Sequence, residues 1–540
     1  MSTEIVYDLI PEFTLILVAT LIYVAGAFFP QRKGWAWLAL GALALAGAAL
    51  FSQGMSVEAG EASAAALKSP LRLDAAGHID VLGQYIRWLA LVVGAALLLA
   101  SSHTEKGVQQ PEFIGTLLLA VTGVMLVGSA GDLALVFLGI ELISIPTYVL
   151  LYLGRQDAAS PEAAVKYFFL SILSSALTLY GFSFLYGIGR STDLAAIQSA
   201  LAAEAVNPTG LRMLGATAMV LMFAGLGFKV AAAPFHFYAP DVYQGTTHGN
   251  AGVLAVLPKI AGFVALVRIT AIAMPGLEMF GWRIALVLAI LTMTVGNVIA
   301  LWQDNIRRLL AYSSIANAGY MLIGLAAAFA SAGSIGEAAK LDGIGALLFY
   351  LAVYALATTG VFAALTYLGG EGKQIDGVDE LAGLGRTHPL TALAIAIFMF
   401  SLAGLPPLAG FWGKLSLFYT ALNVGREPDG ASPLRAWFLF LAVAGALNAA
   451  IAAAYYLRIV SAMYFRPSLA VARGQGGIGA AIAAGACAML IVLVGAFPGP
   501  LTARSGDASQ AARISAAAPA LGTTPARPST LEAAHASLAR

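Results

Sequence analysis

Five ionisable side chains stand in apolar stretches of this chain, where an unsolvated charge is costly. Lys229 lies in AGLGFKVAAAPFHFY, Lys259 in GVLAVLPKIAGFVAL and Lys414 in GLPPLAGFWGKLSLFYTAL. Glu141 lies in LVFLGIELISIPTYVLLYL, and Lys166 in PEAAVKYFFLSILSSAL, close to the start of its apolar run. A charge at bilayer depth costs at least ~2.5–3.5 kcal/mol on insertion scales, so such residues read as functional. Burial penalises the charged form of an amine, and a lysine held away from water can lose and regain a proton near neutral pH. An approaching carboxylate restores the charged form, and its withdrawal releases the proton. A series of such lysines joined by water moves protons without a cofactor. Ser144, Thr147, Ser171, Ser174, Ser175, Ser313, Ser314 and Asn317 add hydrogen-bonding positions.

Plainer readings stand beside these. Glu141 could pair with Lys229 or with Lys166, and such a pair could be static. Lys166 is near enough to its helix start for the amine to snorkel to the interface. Ser313, Ser314 and Asn317, in RRLLAYSSIANAGYMLIGL, equally suit hydrogen bonding between helices. His236 suits an interfacial or hydrogen-bonding role, and His248 is expected to face an aqueous loop. Trp282 and Trp302 bracket one span and read as interfacial anchors.

The elements that position these residues follow from composition. The chain has 540 residues, 60% hydrophobic and 11% charged, the balance of a polytopic membrane protein. A net charge of +1 gives no electrostatic case for nucleic acid. One cysteine allows no internal disulfide and no thiolate set for an iron–sulfur cluster, and the six histidines lack metal-ligand spacing. No cofactor or metal is expected in this chain. The opening MSTEIVYDLIPEF has no basic segment ahead of its apolar run, so the first span is expected to stay.

Apolar runs predict an all-α fold of about fourteen spans. They lie near 9–29, 34–51, 79–101, 112–130, 132–153, 164–189, 213–237, 251–273, 280–302, 309–331, 343–369, 388–423, 435–464 and 477–501. The run 388–423 is too long for one straight helix and contains SLAGLPPLAGFWGK, so it is read as two halves broken at Gly404–Gly410. The run 213–237 is broken at Pro234. Residues 1–111 form three N-terminal spans. Residues 112–273 and 274–465 each hold five spans with the fourth interrupted, the mark of inverted repeats. Residues 466–501 supply the last span, and 502–540, rich in Ala, Ser, Thr and Pro, read as a flexible tail with a short helix at TLEAAHASLAR. The loop charges weakly favour both termini outside.

Read in order, LGIELISIPTYVLLYL, PEAAVKYFFLSILSSAL, FKVAAAPFHFYAPDVYQG, RRLLAYSSIANAGYM and SLAGLPPLAGFWGKL resemble the subunit N family of bacterial respiratory complex I, from about residue 112 to 465. That family is one of the cation/proton-antiporter-like membrane subunits. KVAAAPFHFYAPDVYQG favours subunit N over the related L and M, and Lys414 argues against M, where the family usually has a glutamate. The resemblance implies an NADH:quinone oxidoreductase subunit that moves protons and does no redox chemistry itself. Glu141 and Lys229 would form the input pair, with Lys166 grouped beside it. Lys259 would be the central relay and Lys414 the exit lysine. FMN, iron–sulfur clusters and quinone would belong to the complex elsewhere. The partners would be the antiporter-like M and L subunits and the small K, J and A-type subunits, in the bacterial inner membrane. Two departures stand out. Asn317 replaces a histidine common in the family, and TTHGNAGVLAVLPK replaces a Pro-Thr-Pro type segment, with Pro258 placed to bend the helix beside Lys259. The rival readings are a multisubunit cation/proton antiporter of the same fold and a structural spacer in a membrane arm.

Overall fold

A computed structural model describes residues 3–29, 34–59, 80–101, 110–153, 159–206, 210–331, 342–368, 375–427, 430–467, 474 and 476–521. The helices in chain order are α1 (Thr3–Asp8), α2 (Ile10–Phe28), α3 (Trp35–Ala59), α4 (Val81–Ser101), α5 (Gln110–Ser129), α6 (Leu133–Leu153) and α7 (Ala159–Gly189). There follow α8 (Leu194–Val206), α9 (Leu211–Val230), α10 (Tyr238–Gln244), α11 (His248–Leu266), α12 (Glu278–Ala300), α13 (Ile306–Ala330) and α14 (Gly343–Leu368). The last are α15 (Leu384–Thr387), α16 (Pro389–Ala403), α17 (Ala409–Asn423), α18 (Leu434–Phe465), α19 (Gly477–Ala496) and α20 (Gly499–Leu521). A two-residue hairpin pairs Arg426–Glu427 with Gly430–Ala431.

Helices are forced on such a chain, because lipid offers no partner for backbone N–H and C=O groups. Among the described residues, 13 spans are long and apolar enough to cross a membrane. The expected fourteenth span, 388–423, is divided between α16 and α17, each of 15 residues. The chain is an all-α integral membrane protein.

The interior of the bundle is α5, α11, α13 and α14, buried along nearly their whole length. The outer helices α2, α3, α12, α18 and α19 each turn one large apolar face outward, with Leu17, Trp37, Val287, Leu447 and Met489 exposed. α12 and α13 pack backbone to backbone because each brings a glycine to the contact. A Cβ on Gly296 would stand 2.6 Å from the Ala316 nitrogen, and one on Gly319 would strike the Met293 backbone. That close approach sets the position of Ser313, Ser314 and Asn317.

Both expected breaks are present. α9 ends with the Ala231 N–H bonded to the Phe228 carbonyl (2.9 Å) and the Ala232 N–H to that of Gly227 (2.8 Å). Ala231 is left-handed at φ 57°. The next N–H, of Ala233, donates to Thr292 Oγ1 of α12 at 2.9 Å, and Pro234 has none to place. α16 ends in the same way. The Gly404 N–H bonds the Ser401 carbonyl and the Leu405 N–H that of Phe400, both at 3.0 Å, with Gly404 at φ 89°.

Three expectations are corrected. Residues 502–521, expected in a flexible tail, belong to α20. Alanine favours helix, and Ser505, Ala508, Ser509 and Ala512 form a buried stripe of small residues at helical spacing. Ser509 Oγ donates to Asp342 at 2.7 Å, and α20 packs on α14 and α4. The expected short helix at 530–540 lies outside the described residues. Trp282, expected at the interface, is buried with its ring tilted 5.8 Å from Phe438, whereas Trp302 is exposed. His248 is buried in the first turn of α11, drawn in because Thr247 caps the helix by accepting from the Asn250 N–H at 3.2 Å. α11 runs through Pro258 without a break.

Candidate functional site

Lys229 occupies the last turn of α9. Its Nζ donates to Ser144 Oγ of α6 and Ser171 Oγ of α7, both at 2.8 Å. Glu141 lies one turn before Ser144 and Ser175 one turn after Ser171, so these two form a second layer on the same helix faces. There Ser175 Oγ donates to Glu141 Oε1 at 2.5 Å. No ion pair within 4 Å joins Glu141 to Lys229 or Lys166 among the described residues, although the Glu141 and Lys229 charges are near enough to interact. The Tyr148 hydroxyl donates to Ser171 at 2.9 Å, and Ser144 donates to the Ile140 carbonyl at 2.8 Å. Both serines therefore keep partners of their own. Ala231, two residues on, holds a conformation that costs roughly 1–3 kcal/mol for a residue with a side chain, the kind of strain that gathers at working sites.

Lys166 lies elsewhere. Its side chain is 41% exposed and bonds Asp241 Oδ2 at 2.8 Å and Glu162 Oε1 at 2.7 Å. Of the two partners open to Glu141, Lys166 is drawn away by these surface carboxylates. The other oxygen of Asp241 accepts from Arg308 Nη1 of α13 at 2.8 Å. Burial of the Asp241 carboxyl favours its neutral form, but the bonds from Lys166 and Arg308 outweigh this and hold it below the usual carboxylate range.

Lys259 is buried at the middle of α11. Its Nζ donates to the Ser314 carbonyl and to Ser314 Oγ, each at 2.5 Å, and stands 5.1 Å from the centre of the Tyr354 ring. The Tyr354 hydroxyl lies 2.7 Å from Ser314 Oγ and donates to the Ala255 carbonyl at 3.0 Å.

Lys414, on α17, reaches back to the end of α16. Its Nζ donates to the carbonyls of Leu402 (2.7 Å) and Ala403 (3.2 Å) and lies 4.5 Å from the centre of the Tyr320 ring. These carbonyls have no helical partner beyond the break, and they carry the negative end of the α16 dipole.

Between Lys259 and Lys414 lies a buried cluster that sequence reading saw only in part. Ser313 Oγ is 2.5 Å from the Tyr456 hydroxyl. Asn317 Nδ2 donates to Tyr456 at 3.2 Å, and its Oδ1 accepts from Tyr350 at 2.6 Å. Tyr455 donates to Asn297 Oδ1 at 3.0 Å, and Asn297 Nδ2 donates to the Tyr320 hydroxyl at 3.1 Å. Tyr320, Tyr350, Tyr354, Tyr455, Tyr456 and Asn297 were not singled out. The adjacent Tyr455–Tyr456 pair deep within an apolar run was the available signal. Two buried ion pairs lie outside this cluster. Arg87 of α4 pairs with Glu12 of α2, and Arg268 pairs with Asp80 at 2.6 Å while bonding the Gly128 carbonyl.

Such a line of amines, with hydroxyls and carbonyls as partners, can hold and pass protons. The family model described as NADH:quinone oxidoreductase/Mrp antiporter, transmembrane, matches residues 130–427. A NADH-quinone oxidoreductase subunit N from Trichlorobacter lovleyi is 37% identical over 463 residues, covering 85% of this chain and 87% of its own. The chain belongs to the subunit N family of NADH-quinone oxidoreductase. A subunit N from Sorangium cellulosum is 39% identical over 418 residues, covering 75% of this chain and 77% of its own. A chain of respiratory complex I from Thermus thermophilus superposes with a TM-score of 0.71 at 31% identity, covering 91% of this chain and 98% of that one. A chain of the Mrp complex from Dietzia sp. superposes with a TM-score of 0.76 at 21% identity, covering 95% and 98%, a likeness of fold. The expected family is therefore met in sequence and in structure.

Proposed function

We propose that the chain conducts protons across the membrane as a subunit of an NADH:quinone oxidoreductase. The route runs from Glu141 and Lys229 through Lys259 to Lys414, driven by quinone reduction elsewhere in the complex. The observation that carries this reading is the surroundings of the three amines. Each is buried, and among the described residues each is bonded only to neutral oxygens. A static charge so deep in a membrane would call for a bonded carboxylate, whereas an amine that alternates between charged and neutral is suited by hydroxyls and carbonyls. Glu141 supplies the nearby negative charge among the described residues, offset from Lys229 by a layer of serines. Lys166, with Asp241 and Arg308, stands at the entrance to this end.

The two broken spans fit inverted repeats over 112–273 and 274–465, with Lys229 and Lys414 beside corresponding breaks. FMN, iron–sulfur clusters and quinone would be held by other subunits. The M and L subunits and the small K, J and A-type subunits would be its neighbours in a bacterial inner membrane, with both termini on the periplasmic side. The relatives at 35–39% identity favour this assembly over an Mrp antiporter.

The test is the assembled complex in sealed vesicles, with protons moved and electrons delivered to quinone counted together. Lys259→Ala is expected to lower the proton-to-electron ratio while quinone reduction continues. An unchanged ratio would defeat the relay.

A further inference from the structure

The direction of every hydrogen bond around Asn297 is settled by its neighbour Asn448. Asn448 Nδ2 donates to the Ala444 carbonyl at 3.0 Å, a group that only accepts, so its Oδ1 faces Asn297. Asn297 must then turn Nδ2 toward Asn448 (3.2 Å) and Oδ1 toward Tyr455, whose hydroxyl donates. The same Nδ2 donates to Tyr320 Oη. The Tyr320 proton is therefore not directed at Asn297, and the hydroxyl keeps it for another acceptor while Lys414 lies over its ring.

A hydroxyl can accept a proton on one side as it releases one on the other. An amide cannot without becoming an imidic acid. We infer that Asn297, anchored by Asn448, is a positioning residue that holds the Tyr320 hydroxyl as a donor on the Lys414 side and stops protons from hopping back through side chains to Tyr455. The inference rests on the relay reading. A proton brought by water to the free lone pair of Tyr320 Oη releases the hydroxyl proton by way of water toward a neutral Lys414. One O–H bond forms as another breaks, the tyrosine stays neutral before and after, and the amine becomes an ammonium.

The test is Asn297→Asp in the assembled complex in vesicles, with the proton-to-electron ratio read across pH. The protonated acid keeps one donor and stands in for the amide. The carboxylate has none and turns the Tyr320 proton toward itself. The titratable groups around it are Tyr320 of α13 and Tyr455 and Tyr456 of α18, with Lys414 of α17 beyond Tyr320. Arg268, in the π-helical segment Val267–Ile272 that also packs against α12, is already paired with Asp80. The expected result is a ratio that falls as pH rises and recovers on acidification, with quinone reduction retained. A wild-type ratio at every pH, or a loss that ignores pH, would overturn the inference. If this variant fails to assemble, Asn448→Leu leaves Asn297 in place but frees its amide to turn over. It should lose part of the ratio, and a wild-type ratio there would overturn the inference. Lys414→Ala separates the two claims. If it pumps normally, the relay reading falls. If it fails to pump while Asn297→Asp pumps as wild type at every pH, only the assignment to Asn297 falls.

Discussion

α9 and α16 end with the same pair of reversed hydrogen bonds, yet the residue at the left-handed position differs, and so does the neighbouring lysine. At the first break the position is Ala231, and Lys229 lies ahead of it, on the half that has just ended, with its amine turned sideways to two serines. At the second the position is Gly404, and Lys414 lies beyond it, on the half that follows, reaching back to the carbonyls the break leaves open. Serine hydroxyls can donate or accept, so they serve an amine in either protonation state. Carbonyls only accept, and here they stand at the negative end of a helix. The same kind of break thus presents one lysine to hydroxyls of neighbouring helices and the other to the open carbonyls of the helix it interrupts.

The largest effect that probes this contrast is Lys414→Ala. It leaves the Leu402 and Ala403 carbonyls without their amine, at a cost of about 1–3 kcal/mol for each buried acceptor left unmade. Less assembled complex and a lower melting temperature are expected, together with loss of pumping. Lys229→Ala should stop pumping with a smaller loss of stability, because Ser144 and Ser171 retain the Ile140 carbonyl and Tyr148 as partners. Equal destabilisation by the two changes would remove the contrast.

The caps come next and carry opposite signs. Gly404→Ala should destabilise by about 1 kcal/mol, since the left-handed backbone suits glycine and the new Cβ would stand 3.0 Å from Lys414 Cδ. Ala231→Gly should stabilise by a similar or smaller amount, read as a higher melting temperature of the complex. The smallest effect is Asp241→Asn. A carboxyl held below its ordinary range stabilises the fold above the unfolded value of about 3.9, and this is lost as pH falls through the lower folded value. The variant should therefore be less stable than wild type at neutral pH, with the difference vanishing in acid.

The lysines and both breaks were legible because a cation or a proline in an apolar run has few ordinary explanations. Lys166 was legible as a lysine able to snorkel from its helix start, but its partners were not. Its partners, Glu162 and Asp241, belong to a helix start and to a short helix after the break, and only folding brings Asp241 and Arg308 to the same place. The tyrosines were not legible, because tyrosine is as common at a membrane interface as in a buried cluster. Trp282 misled for the same reason in reverse. α20 hid behind a composition shared by mobile tails, and only its stripe of small residues against α14 and α4 distinguishes it.

The central claim is that these amines lose and regain protons, and Lys259→Arg tests it most directly. Arginine keeps the charge but does not release its proton in proteins. In the complex reconstituted in vesicles, the proton-to-electron ratio should fall as far as with Lys259→Ala while NADH-driven quinone reduction persists. A wild-type ratio with arginine at this position would contradict the account.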